Sequence, residues 1–182
     1  MSSRNDAARV LVERRLNKFV KKDVPAARAT ATNKALAMAK TRVIRVISAD
    51  VQIKPKVIRQ RVVDKKAFKE KAAKLVVYRR NVPVIALGAR QTKAGVRAGK
   101  HFIAGAFIAD GKKGTGGGGS TGRRLNRQMV LKRDGRARYP ISVQSVSIRE
   151  SVNSKTPDQV KKVMAENFNR LYQHELRRRA AR

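Results

Sequence analysis

Near residue 62 the hydrophobic pattern of this chain changes its period, and that switch constrains the fold more than any single motif. Before it, apolar residues recur every three or four positions. Ala8, Val12, Leu16, Phe19 and Val20 share one face while Arg9, Glu13, Arg14, Lys18 and Lys21 fall elsewhere, which predicts an amphipathic helix over residues 6–22. Asp23 as a cap and Pro25 in the first turn predict the start of a second, Ala-rich helix, carried onward by Leu36, Ala39, Val43, Val46 and Ile47. A break near Ile53 and Pro55 and a short apolar set at Val57 and Ile58 predict helix, turn, helix over residues 44–62.

After the switch the apolar runs are short and β-branched. Leu75–Tyr78, Val82–Ile85 around Pro83, Phe102–Ile108, Gln128–Lys132 and Tyr139–Val143 read as strands, with turn signals at Asp110-Gly111 and Asp134-Gly135. A small antiparallel sheet is their natural assembly. Residues 111–124, GKKGTGGGGSTGRR, have nothing to bury and a high entropic cost of ordering, which predicts a mobile hairpin loop. Thr156-Pro-Asp-Gln159 has the pattern of a capping box, and Val160, Val163, Met164, Phe168, Leu171 and Tyr172 form one face of a closing helix. The expected class is therefore α+β. The regions are 1–62 (helical), 63–155 (sheet with the Gly-rich loop) and 156–182 (a helix packed on the sheet), within one domain of 182 residues.

Charge limits what such a domain can do. Lys and Arg number 45 against 12 Asp and Glu, a formal +33 spread from Arg4 to Arg182. Solubility alone is reached at a net charge of about 2–8 for a small domain, so this excess calls for phosphates, acidic proteins or counterions nearby. Hydrophobic residues at 41% still allow a core, unlike a disordered basic tail. The absence of cysteine removes disulfides and thiolate metal sites. No apolar stretch approaches the ~20 residues that span a bilayer, so no membrane partner is expected. The charged N-terminal sequence lacks the apolar centre of a secretory signal, which predicts a protein made and kept in the cytoplasm until lysis.

Catalytic chemistry has little to work with. His101 and His174 are far apart, the carboxylates are diluted among cations, and no metal spacing occurs, so no catalytic residue, metal or cofactor is expected. The Gly-rich segment lacks the GxxxxGK[ST] pattern of a phosphate-binding loop. Aromatics at 4% give no stacking platform for bases, so contact with nucleic acid would be to phosphates and independent of sequence. The candidate contacts are Lys54, Lys56, Arg59 and Arg61 on the helical corner, and Lys112, Lys113, Arg123 and Arg124 beside the loop. Arg177, Arg178, Arg179 and Arg182 suit either the negative end of the last helix or phosphates. A sequence-selective regulator reading DNA with residues 44–62, and a ribosomal-type basic RNA-binding protein, both remain open at this level.

The order of motifs narrows the choice. DVPAARATATNKALAMAKTRVIRVISADVQIKPKVIRQRV, VPVIALGARQT, GAFIADG and VLKRDGRARYPISVQSVSI follow one another, and together they resemble the phage minor tail protein Z family, the tail completion proteins. Its most specific parts here are Gly105, Ala106, Phe107 and Ile108, the strand Val130–Arg133, and Arg138, Tyr139, Pro140 and Ile141. Ala104 stands where relatives often have proline before the glycine. The resemblance implies a structural virion protein acting late in tail maturation at the head-proximal end, where tail meets neck and DNA passes. It implies neighbours among the tail terminator, tail tube and connector proteins, and a ring of copies, six by tail symmetry.

Overall fold

The computed structural model describes residues 2–68, 71–109, 128–137 and 140–181, and the class is α+β. Helix α1 (Ser2–Lys18) and helix α2 (Val24–Val51) are joined by a wide π turn, Phe19–Asp23. The expected break at Asp23 is therefore absent, and Asp23 lies in the π turn instead of capping α2. Pro25 supplies a physical reason, because its ring crowds the carbonyl one turn back and it has no N–H to donate. The backbone widens just before it, with the Val24 N–H bonding to the Phe19 carbonyl five residues earlier.

Helix α2 carries a strict four-residue stripe of fully buried positions at Ala27, Ala31, Ala35, Ala39, Val43 and Ile47. It ends where Gln52 takes a left-handed conformation (φ 57°), letting the Ile53 N–H reach back 3.1 Å to the Ser48 carbonyl. Helix α3 (Pro55–Arg59) follows, anchored by buried Ile53 and Ile58. Helix α4 runs over Arg149–Ala180.

Helix α4 begins seven residues before the expected start at Thr156. Its N-terminus is set by Ser147, whose Oγ accepts the Arg149 N–H at 3.4 Å, by Glu150 in the first turn, and by burial of Ile148 and Val152. Pro157 thus lies inside the helix, where it removes one backbone bond. Thr156 caps nothing, and its Oγ1 is buried without a hydrogen-bond partner.

Among the described residues, ten short strands form four sheets: β1 (Val62–Lys65) with β2 (Lys74–Val77); β3 (Val82–Pro83) with β10 (Ser145–Val146); β4 (Arg90–Thr92), β5 (Gly95–Ala98) and β6 (His101–Ala104); and β7 (Ala106–Ala109), β8 (Met129–Arg133) and β9 (Ile141–Val143). The last three sheets pair antiparallel. The expected strand over 102–108 is divided at Gly105, whose φ of +69° turns β6 into β7. Val84–Leu87 forms a 3-10 turn where a strand was expected. Strands β1, β4 and β5 carried no clear strand signal.

The chain forms two compact units: residues 1–43, 62–76 and 156–182 in the first, 44–61 and 77–155 in the second. In the first, ion pairs and side-chain bonds run from α2 to α4 in antiparallel order, Lys34 to Glu175 at 2.6 Å and Arg42 to Gln159 at 3.3 Å. Asn33 makes a two-way bond with the Ala67 backbone (2.7 and 3.1 Å), and Lys40 meets Asp64 at 2.5 Å. In the second unit, Gln91 acts as a side-chain rung between two sheets. Its amide donates to the Ala106 carbonyl (3.3 Å) and accepts from the Ile108 N–H (2.9 Å). Val82, Val84, Val96, Val130, Leu131 and Ile148 fill this core.

Candidate polyanion and assembly surfaces

In the second unit a basic corner is built on α3. Pro55 at the first helical position sets the backbone angle, and buried Ile58 faces inward. Lys54, Lys56 and Arg59 are left exposed, with no ion pair among the described residues. Arg61 does something different. It donates to the carbonyls of Arg80 (2.7 Å) and Asn81 (3.2 Å), while its own carbonyl accepts the Tyr78 N–H at 2.9 Å. It thereby fastens the corner to the segment that leads into β3. Sequence reasoning placed all four cations together but missed this clamp, which becomes visible only when residues 61 and 80 are adjacent. At five residues, α3 spans about 7 Å at ~1.5 Å per residue, a short rod for reading a groove.

Lys112, Lys113, Arg123 and Arg124, with the whole of residues 111–124, lie outside the described residues, as do Arg138 and Tyr139. The family-motif residues that are described fall on paired strands. Ala106, Phe107 and Ile108 lie in β7, opposite Lys132, Leu131 and Val130, and Gly105 precedes them. The Arg133 guanidinium sits 5.7 Å over the Phe107 ring, a cation–π contact across the β7–β8 pair. Pro140 accepts the Asp134 N–H at 3.2 Å, and Ile141 opens β9 opposite Arg133.

The first unit presents an apolar surface. Along α1 and the π turn, Val12 is 57% exposed, Leu16 58% and Val20 61%. Of the face predicted from periodicity, these three residues are exposed among the described residues, while Phe19 is half-buried. Nearby polar chemistry is internally satisfied at one point. Glu175 is 1% exposed and bound by Lys34 at 2.6 Å and Arg178 at 2.8 Å. The Lys34 hydrogen bond, aided by Arg178 against the penalty of burial, holds its carboxyl at about 2, below an ordinary value of 4.5. The stabilisation is complete above pH 4.5 and declines as pH falls toward 2. Glu175→Gln is expected to cost about 1–3 kcal/mol at pH 7 and to flatten this acid limb, as measured by urea unfolding across pH. An unchanged acid limb would show that the carboxylate is not the responsible group.

Among the described residues, no three His, Asp or Glu lie close enough to hold a metal ion, and no helix is long and apolar enough to cross a membrane. Among the described residues, ion pairs engage the carboxylates of Asp23, Asp50, Asp64 and Glu175. With 45 cationic side chains to 12 anionic ones, neutralisation has to come from outside the chain.

A profile of the family described as prophage minor tail protein Z (GPZ) matches residues 11–182. The tail completion protein of Escherichia phage N15 is 29% identical over 150 residues, covering 82% of this chain and 82% of its own length. No solved structure matches.

Proposed function

Because this chain belongs to the prophage minor tail protein Z family, and is thereby a phage tail component, we propose that it completes the head-proximal end of the tail. In this reading it forms a ring of copies, six by tail symmetry, at the junction of tail and neck. There it supports tail maturation, the joining of head to tail, and passage of DNA. Its neighbours are the tail terminator, tail tube and connector proteins. The family match over residues 11–182 carries the reading.

The charge supplies the mechanism. Copies carrying +33 each repel one another until an anion lies between or inside them. DNA threading a ring provides that anion continuously and without regard to sequence, because phosphates are the same at every base pair. Lys54, Lys56 and Arg59 are the candidate contacts, and their exposure around a short helix with a buried anchor supports this reading. Lys112, Lys113, Arg123 and Arg124 would add to it from the Gly-rich segment.

Replacing Lys54, Lys56 and Arg59 together by Gln is expected to flatten the salt dependence of duplex binding by about 0.9 in log–log slope per lost phosphate contact, or about 2.7 in all. Affinity should be independent of duplex sequence. An unchanged slope would take this corner off DNA and leave acidic faces of neighbouring tail proteins as its counterpart.

A further inference from the structure

The π turn and the end of α4 border a half-open cavity of about 670 Å³ in the first unit, lined by Arg15, Leu16, Lys18, Phe19, Asp23 and Arg179. π turns are rare and tend to occur where a helix has been adapted to a function. Arg179 is held there with its donors poorly used. Its side chain is only 20% exposed, and its Nη1 lies 3.7 Å from the Asp23 carboxylate, beyond hydrogen-bond length. Its Nη2 is 3.5 Å from the Thr30 hydroxyl, and its buried Nε donates to nothing. A guanidinium offers five N–H donors in a rigid fork suited to a carboxylate, and leaving a buried one unmatched is unfavourable. Arg15 and Lys18, which line the cavity from α1, have no ion-pair partner among the described residues. Leu16 and Phe19 add apolar lining to the cavity.

We propose that this cavity is a docking site for an acidic segment of a neighbouring tail protein, with a carboxylate on Arg179 and an apolar side chain against Leu16 and Phe19. The inference rests on the tail reading above and assigns it a contact. Three cations against the single carboxylate of Asp23, beside an apolar wall, leave a cationic excess that matches an acidic residue flanked by an apolar one. A DNA backbone has charge but nothing apolar to set against Leu16 and Phe19. A second copy of this chain brings 45 cations for 12 anions, so like charges would meet at the rim.

The test complements particles that lack the protein with the full chain in three forms: native, Arg15→Glu/Lys18→Glu, and Lys93→Glu/Lys100→Glu. The last pair makes the same charge change at exposed turn positions of the second unit. Copies per purified tail are counted by quantitative mass spectrometry, and thermal melting checks that each variant folds. If the Glu pair at the cavity fails to fold, Arg15→Gln/Lys18→Gln replaces it. The cavity variant is expected to be incorporated about tenfold less than native, and the control as well as native. Native-like incorporation of the cavity variant, or equal loss of both variants, would overturn the assignment. A loss of duplex affinity confined to the cavity variant would move the occupant to DNA and overturn it equally. Absence of the native chain from tails would sink the tail reading itself, and this contact with it.

Discussion

Gly95→Ala is expected to lower the melting temperature by roughly 10 °C, from about 3–5 kcal/mol of destabilisation at about 2–4 °C per kcal/mol for a chain of this size. Gly95 begins β5 and pairs with Thr92 on one side and Ala104 on the other. A Cβ there would stand 2.2 Å from the Ile103 carbonyl oxygen and 3.0 Å from the Ala104 Cα, and these are backbone atoms that cannot swing aside. Its φ of +154° adds strain for any L residue. The Gly95 carbonyl also accepts bonds from Thr92 Oγ1 (2.8 Å) and Gln91 Nε2 (3.1 Å), so a displaced β5 loosens the Gln91 rung as well. Gly99→Ala is the matched control, because a Cβ there meets nothing within 4 Å. It should cost only about 1–2 kcal/mol, from its left-handed backbone. A native-like melting temperature for Gly95→Ala would show that β5 and β6 are not packed as described.

Ile58→Ala is expected to cost about 2–5 kcal/mol by chemical denaturation, and to release the basic corner before the rest of the chain. Ile58 is 1% exposed and is the buried residue of α3. Five residues have no independent helical stability, so this side chain and its neighbour Ile53 hold the positions of Lys54, Lys56 and Arg59. Hydrogen exchange should show early loss of protection at the Val57 and Arg61 amides, which bond to the Lys54 and Ile58 carbonyls at 3.0 and 2.9 Å. Val57→Ala, at a half-buried position on the same helix, should cost under about 1 kcal/mol. Equal costs for the two would mean that α3 is not anchored through Ile58.

The long helices were legible because their signal is repeated. The α2 stripe recurs six times at four-residue spacing, and no local irregularity outweighs it. Helix starts were less legible because caps are local and tertiary burial overrides them. Thr156-Pro157 has the right letters, yet burial of Ile148 and Val152 begins α4 seven residues earlier. The β-branched runs at Leu75–Val77, Phe107–Ile108 and Val130–Leu131 did form strands. Arg90–Thr92 and Gly95–Ala98 have no such composition, and they are strands because β6 and the Gln91 side chain supply partners.

The candidate surfaces divide in the same way. Exposure of Lys54, Lys56 and Arg59 follows from their positions around Ile58, which the helical period gives directly. The apolar face of α1 was likewise readable, from Val12, Leu16 and Val20. The donors of Arg61 and the cavity around Arg179 depend on pairs 19 and 156 residues apart in sequence, Arg61 with Arg80 and Asp23 with Arg179. No spacing rule connects residues so distant.

The most direct measurement is cryo-electron microscopy of the tail and neck of purified particles, with particles lacking the protein as the comparison. The proposed function predicts density lost from a ring at the tail–neck junction, with the α3 corner facing the DNA path or an acidic face of a neighbouring protein. Density lost instead from the distal tip or along the tube, or no difference between the two particles, would contradict it.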